Sequence, residues 1–362
     1  MIQLLHPDSP WRRFDWPYFL PILGLAVVSL VVLYSAGDQD TGLVVGQAAR
    51  FGIALAAFFV AAAIPPRFLA LAAPYLYLAT LTMLILVPLV GQEGMGAQRW
   101  LVVGPLTIQP SELMKLVLPL TMAAFLSHQD YPPRPGVLLT SLAIIGIPTG
   151  LVLIQPDLGT SVLIAVAGLV VLFLAGAPWR LFMALGGLLL ASLPAAWYML
   201  HDYQRRRLMG FLNPEADPYG AGYHITQSKI AIGSGGLTGK GWLNGTQAQL
   251  DFLPERHTDF IFAVMSEEFG LLGGAVLLGL YLALTYRGLV IAFRSREMYN
   301  RLVAAGLSTV FFFYVVINIG MTTGLLPVVG VPLPLVSYGG SSLVALLTGL
   351  GLVMGISMRR GR

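Results

Sequence analysis

The chain has 362 residues, of which 56% are hydrophobic and 10% are charged, with a formal net charge of +4. Soluble domains carry about 25% charged residues, so this composition excludes an ordinary soluble domain and indicates a polytopic membrane protein. The sequence contains no cysteine, which excludes disulfides and thiolate metal sites, and its small net charge gives no indication of nucleic-acid binding.

The hydropathy pattern predicts an all-α polytopic fold with about ten transmembrane helices in a single integral membrane domain, residues 1–362. Apolar runs long enough to cross a bilayer, ~20 residues, follow one another along nearly the whole chain. The first run is too long for the core of a signal peptide, so we interpret it as a retained span. The predicted spans, in chain order, are 17–36, 45–64, 68–91, 111–128, 137–156, 158–177, 180–200, 259–285, 302–325 and 341–357.

Arginines in the short loops predict the orientation, because basic residues favour the cytoplasmic side of a membrane. With the N-terminus inside, most of these arginines are cytoplasmic, and an even number of spans brings the C-terminus to the same side. The outer face then carries three polar segments: 92–110, 326–340 and a large loop between spans 7 and 8, 201–258. Within that loop, residues 223–233 could form a helix that lies in the interface or dips back into the membrane.

Ionisable residues inside spans are costly, so each one needs an explanation. Arg50 lies in span 2, where it either extends to the outer interface or binds an anion in a cavity. Glu112 and Lys115 lie three residues apart on one face of span 4. They form either a neutralised structural pair or a site in which Glu112 holds Lys115 in place for an anionic ligand.

Four further carboxylates open or interrupt later spans. Asp157 follows a proline at the start of span 6, a position that favours a helix cap. Asp259 opens span 8, and two interpretations stay open: a cap or first-turn carboxylate, or a catalytic base at the outer membrane surface. Glu267 and Glu268 lie over two turns deeper. There we favour a structural role, either a pairing with another span or the support of a local break before Gly270.

Two glycine-rich stretches invite a ligand-binding interpretation. "IGSGGLTGKG" (232–241) fails the phosphate-loop pattern, because Gly241 stands where that motif requires serine or threonine. It indicates a flexible outer loop that lets a large ligand approach its backbone. In "GVPLPLVSYGGSS" (330–342) prolines break the helix, so the backbone of this stretch has to face protein or a water-filled cavity. The side chain of Ser337 offers a hydroxyl group there.

Seven separated stretches together resemble, in the right order, the motifs of the SEDS family. The resemblance covers the chain from about residue 10 onward and is closer to the rod-shape branch of that family than to its division branch. The stretches are "GAQRWL" (96–101), "QPSELMK" (109–115), "QPDLGT" (155–160), "HDYQRRR" (201–207), "DPYGAGYHITQSKIAIGSGGLTGKG" (217–241), "GTQAQLDFLPERHTDFIFAV" (245–264) and "LPVVGVPLPLVSYGGSS" (326–342).

The resemblance implies a ten-span fold and a peptidoglycan glycosyltransferase that polymerises lipid II into glycan strands for cell elongation and rod shape. It places this activity at the outer face of the cytoplasmic membrane and implies a partner, a class B penicillin-binding protein that crosslinks the strands. A lipid II flippase stays the alternative, because intramembrane charges and a polar cavity suit a transporter equally well. The crowding of unusual residues in the outer half favours the polymerase.

Residue by residue, the resemblance places the essential aspartate of the family on Asp259 and its intramembrane arginine on Arg50. Its acidic and basic pair falls on Glu112 and Lys115, and its motif tryptophan falls on Trp100. We therefore assign Asp259 as the catalytic base.

Further candidates complete the predicted site. Arg256, together with the two cations already named, could bind the pyrophosphates of the substrate. Trp100 could stack on a sugar face or serve as an interfacial anchor. Lys229 and Ser337 are additional candidate substrate contacts. A divalent cation, Mg²⁺ or Mn²⁺, could assist, although no metal-ligand spacing is present in the sequence.

Overall fold

The computed structural model describes residues 10–94, 97–103, 106–199, 205, 209–211, 221–250, 252–253 and 255–359. Most of the first half of the predicted outer loop, from 201 to 220, lies outside the described residues. The helices are α1 (Trp16–Ala36), α2 (Thr41–Ala63), α3 (Pro66–Val90), α4 (Pro110–Leu126), α5 (Pro135–Ile154), α6 (Leu158–Leu174), α7 (Trp179–Met199), α8 (Ala221–Ser234), α9 (Thr246–Gln249), α10 (Ile261–Phe293), α11 (Met298–Thr322) and α12 (Ser341–Met358).

Each of the ten predicted spans overlaps one helix, and the α-helical, multi-pass fold class is confirmed. The helix of span 8 continues eight residues past the predicted end at 285, to Phe293. Seven of these helices in the described part of the chain are long and apolar enough to cross a membrane, and α6 and most of α7 form shorter apolar helices. Helix α2 begins four residues before its predicted span, because Asp40 accepts a hydrogen bond from the backbone N–H of Gly42 at 2.7 Å and caps the helix. The orientation and the number of crossings stay predictions.

The outer segment 92–110 contains a small antiparallel sheet that the sequence analysis missed. Its strands are β1 (Gln92–Gly94), β2 (Ala97–Val103) and β3 (Leu106–Ile108), in the order β1-β2-β3. Arg99 of β2 docks the sheet on the start of α6, since its guanidinium donates to the carbonyl oxygen of Pro156 at 2.9 Å and lies 3.7 Å from the Asp157 carboxylate.

The last helix of the chain packs against helices from its beginning. Helix α2 packs along α12, where a Cβ atom at Gly351 would overlap the carbonyl oxygen of Phe58, so glycine lets the two backbones approach closely. The buried Asp15 lies at the N-terminal end of α1, the end that is predicted to be cytoplasmic. Its carboxylate accepts two hydrogen bonds of 3.0 Å from Arg287 of α10 and one of 2.7 Å from Ser357 of α12. This network joins three helices that are distant in sequence.

The helix predicted within the outer loop is confirmed as α8, and it packs on two spanning helices, α10 and α11. Ser228 on its buried face donates to the carbonyl oxygen of Thr322 at 2.7 Å. The ring of His224 stacks on that of Phe260, with centroids 5.9 Å apart. The second half of the loop is therefore folded against the bundle.

Helix α10 is broken at Gly270, whose φ of 64° and ψ of −160° are not helical. Residues 235–241, the inserted segment, lie against the break and supply the missing backbone partners. The N–H groups of Lys240 and Gly241 donate to the carbonyl oxygens of Glu267 and Glu268, both at 3.0 Å. In return, two N–H groups after the break donate to carbonyl oxygens of the inserted segment: Leu271 to Gly236 at 2.9 Å and Leu272 to Leu237 at 3.1 Å.

Gly235 and Gly239 of this segment therefore admit the backbone of α10, rather than the large ligand that the sequence analysis expected. A Cβ atom at Gly235 would overlap the carbonyl oxygen of Ser266, and one at Gly239 would overlap that of Glu268. Gly239 also has a φ of +80°, a conformation that glycine adopts without strain.

We predict that Gly239→Ala lowers the thermal stability of the purified protein, because the new methyl group meets backbone atoms that cannot move aside. A cost of about 1–3 kcal/mol is typical of such overpacking. Gly233→Ala is the matched control, since nothing lies within 4 Å of the position of its Cβ atom. Melting curves in detergent would contradict the account if the two variants melted together.

Candidate functional site

Asp259 lies in a turn, residues 255–260, immediately before α10. The helix begins at Ile261, its N-cap residue is Phe260, and its first turn contains no acidic residue. Asp259 therefore occupies neither of the helix positions that the structural interpretation assigned to it, and it is half-buried.

The turn is held by the polar segment before α12. The backbone N–H of Tyr338 donates to the carbonyl oxygen of His257 at 2.8 Å. The Ser337 hydroxyl donates to the carbonyl oxygen of the next residue, Thr258, and accepts a hydrogen bond of 2.8 Å from the N–H of Leu333. Ser337, predicted as a substrate contact, thus has its hydroxyl engaged in holding the turn.

Arg50 of α2 reaches the same segment. Its guanidinium carbon lies 4.2 Å from the centroid of the Tyr338 ring, a cation–π contact. Its neighbour Gln47 donates to the carbonyl oxygen of Ser337 at 3.2 Å. Within the described part of the chain, the buried Nη1 of Arg50 has no hydrogen-bond partner. A buried donor with no partner favours the anion-binding interpretation over an extension to the interface.

Glu112 and Lys115 form a closed pair on α4, with 2.5 Å between the Lys115 Nζ and Glu112 Oε1. Tyr314 of α11 completes the group, because its ring lies 4.7 Å from Nζ and its hydroxyl donates to Glu112 Oε2 at 3.5 Å. The three side chains line a pocket whose other lining residues, on α4, α11 and α12, are apolar. Both interpretations of the pair remain open.

Arg256 is buried and engaged by protein groups. Its guanidinium pairs with Asp38 of the α1–α2 connection and donates to the carbonyl oxygen of Ala248. The neighbouring ring of His257 lies with Nδ1 3.0 Å from the carbonyl oxygen of Ala36. These contacts anchor the turn to the end of α1, and they favour a structural role for Arg256 over pyrophosphate binding.

Two predicted contacts lie elsewhere. Trp100 is half-buried in β2, where it pairs with Gln92 of β1. Lys229 is exposed on α8, and its aliphatic chain covers Gly324. No contact in the described ranges joins either side chain to Asp259.

The remaining carboxylates make structural contacts. Asp157 caps α6, because its Oδ1 accepts from the N–H of Thr160 at 3.1 Å. Glu267 is fully buried beside the inserted segment and accepts hydrogen bonds from Lys240 at 2.7 Å and Thr246 at 3.0 Å. Glu268 accepts a hydrogen bond from the hydroxyl of Ser35 on α1.

Comparison with known proteins identifies the family. A family model described as the FtsW/RodA/SpoVE cell cycle protein matches residues 15–361. The chain is 52% identical to the peptidoglycan glycosyltransferase MrdB of Escherichia coli strain K12, with 98% of each chain covered. The protein therefore belongs to the FtsW/RodA/SpoVE family, which is the SEDS family indicated by the sequence motifs.

Solved structures agree with this membership. One solved structure matches with a TM-score of 0.85 and 36% identity, covering 96% of this chain and 99% of that one. It is described as "Structural coordination of polymerization and crosslinking by a peptidoglycan synthase complex". The crystal structure of RodA from Thermus thermophilus matches with a TM-score of 0.74 and 33% identity, covering 97% of this chain and 99% of that one.

One amide missed by the sequence analysis, Asn318 of α11, bonds to the backbone of Asp259. The sequence does carry a signal for this residue, because a polar side chain in an apolar span needs a partner. Asn318 was missed because only the ionisable residues of the spans were interpreted.

We predict that Lys115→Met destabilises the protein more than the double change Glu112→Gln with Lys115→Met. The single change leaves a buried carboxylate without its cation, which costs about 3–5 kcal/mol in buried pairs, whereas the double change removes both charges. Melting temperatures in detergent measure the difference. Arg134→Met, which breaks the exposed pair with Asp130, is the control and should change little. Equal melting of the single and double variants would contradict a structural role.

Proposed function

We propose that the chain is a peptidoglycan glycosyltransferase that polymerises lipid II at the outer face of the cytoplasmic membrane, for cell elongation and rod shape. The observation that carries this proposal is the shared support of Asp259 and Arg50. The same short segment donates to the turn that carries Asp259 and presents the Tyr338 ring to the Arg50 guanidinium. A base and an available cation are thus fixed to one structural unit.

The reaction joins a sugar hydroxyl to an anomeric carbon. The 4-hydroxyl of one saccharide attacks the anomeric carbon of the other, a C–O bond forms, and the bond to the polyprenyl pyrophosphate breaks. The Asp259 carboxylate accepts the hydroxyl proton, and the pyrophosphate leaves as an anion with the electron pair. One carboxylate suffices for such a single displacement, because the pyrophosphate leaves as an anion and needs no general acid, whereas glycoside hydrolases use a pair of carboxyl groups.

Positive charge has to stabilise the leaving pyrophosphate, and the chain offers cations of unequal availability. Arg50 is the strongest candidate, because its Nη1 has no partner among the described residues. Lys115 is held by Glu112 and would need to shift toward a ligand. Arg256 is occupied by Asp38 and Ala248.

In the described ranges, no group of three or more His, Cys, Asp or Glu side chains could hold a metal ion. The divalent cation therefore stays a prediction, and side chains of the protein carry the proposed steps.

The relatives support both the activity and the partner. The Escherichia coli relative is named a peptidoglycan glycosyltransferase, and one structural relative belongs to a synthase complex that coordinates polymerization and crosslinking. We infer that this chain, acting as one membrane unit, also works with a crosslinking partner, a class B penicillin-binding protein.

We predict that Asp259→Asn abolishes polymerisation of purified protein supplied with labelled lipid II, with a loss of at least about 100-fold, because the amide cannot accept the proton. The shape of the side chain is kept, so expression and lipid II binding should stay near the wild-type level. Asp130→Asn is the matched control, since its carboxylate is exposed and pairs only locally with Arg134 in the described structure. Glycan made by Asp259→Asn at near wild-type rate would remove Asp259 from the role of base.

A further inference from the structure

The backbone of Asp259 is held by a fully buried amide on α11, that of Asn318. The Nδ2 group donates to the carbonyl oxygen of Asp259 at 3.0 Å and to that of Val331 at 2.7 Å. Both N–H bonds are therefore used. The amide oxygen is buried and has no hydrogen-bond partner among the described residues. An amide buried with its acceptor unused and both donors engaged acts as a donor at this position.

The hydrogen bond at Asp259 bears directly on the direction of the carboxylate. The carbonyl group belongs to the peptide plane that follows Asp259, so a hydrogen bond to it restrains the ψ angle of that residue. Helix α10 does not impose this angle, because it begins only at Ile261 and its N-cap residue, Phe260, makes no side-chain cap bond. Asn318 therefore restrains a residue that lies outside regular secondary structure.

The second hydrogen bond of the amide connects this restraint to Arg50. Val331 lies in the same polar segment as Tyr338, whose ring carries the Arg50 guanidinium at 4.2 Å. One side chain on α11 thus bonds to the residue that carries the base and to the segment that supports the cation.

We propose that Asn318 is a positioning residue that sets the place of the Asp259 carboxylate relative to the Arg50 guanidinium. This inference rests on the proposed function, in which the first group is the base and the second stabilises the leaving pyrophosphate. Asn318 keeps its protons throughout the reaction and acts only through the backbone. Its loss should therefore slow turnover while substrate binding persists.

The test is a steady-state comparison of purified full-length variants with labelled lipid II. Asn318→Asp keeps the shape of the side chain and removes the amide donors. We expect kcat per folded molecule to fall about tenfold or more, with KM within about twofold of wild type, because small displacements of a reacting group cost rate rather than binding.

Gln155→Glu is the matched control. Gln155 is also a buried amide that donates to a backbone carbonyl, that of Leu84, at 2.8 Å. The exchange removes the same kind of donor at a site with no described contact to the turn. We expect its kcat and KM to stay within about twofold of wild type, since it leaves the geometry of the reacting groups unchanged.

Each outcome bears on the proposal. Wild-type kcat in Asn318→Asp, or an equal fall of kcat in Gln155→Glu, would overturn the positioning role while leaving the proposed function intact. A wild-type protein without polymerase activity would overturn the proposed function and this inference with it.

If Asn318→Asp does not fold, the same comparison is made with Asn318→Ser, whose hydroxyl is a single, shorter donor. Failure of both variants to fold would overturn the proposal, because Asn318 would then serve the fold itself.

Discussion

A helix that breaks inside a membrane leaves backbone N–H and C=O groups without partners, and each such group costs several kcal/mol. Helix α10 breaks at Gly270, and the inserted segment, residues 235–241, satisfies the exposed groups on both sides of the break. The second half of the outer loop is thereby joined to a spanning helix through backbone hydrogen bonds. The short segment of α10 before the break, residues 261–269, has Asp259 just before its start and depends on this junction for its position.

The two ends of that short helical segment are stabilised differently. At the break, Glu267 and Glu268 are buried and bonded to the loop and to α1. At the start, three successive backbone carbonyl groups of the turn, those of residues 257–259, accept hydrogen bonds from the segment before α12 and from Asn318. These contacts divide the cluster of charges in the sequence: the deep glutamates bond to neighbouring parts of the fold, and the carboxylate at the start is the group that we propose as the base.

The sequence predicted the long helices well, because apolar runs of bilayer length are a strong signal, and it predicted a cap at Asp157 from local chemistry alone. It missed the sheet at 92–108, whose outer strands have three residues each. It also misread Gly235 and Gly239, since their partners near Gly270 lie about 30 residues away in sequence. Asn318 was missed because a neutral amide carries no charge signal, and the engagement of Arg256 depends on a residue more than 200 positions earlier.

The central claim is that this protein forms glycosidic bonds, and it is tested most directly in detergent micelles, where lipid II has no second side to reach. Purified wild-type protein, with the proposed penicillin-binding partner and divalent ions supplied, would be given labelled lipid II and the products separated on a gel. The account predicts a ladder of glycan chains. Unchanged lipid II in micelles, together with transfer of lipid II across sealed bilayers by the same preparation, would contradict it and identify a flippase.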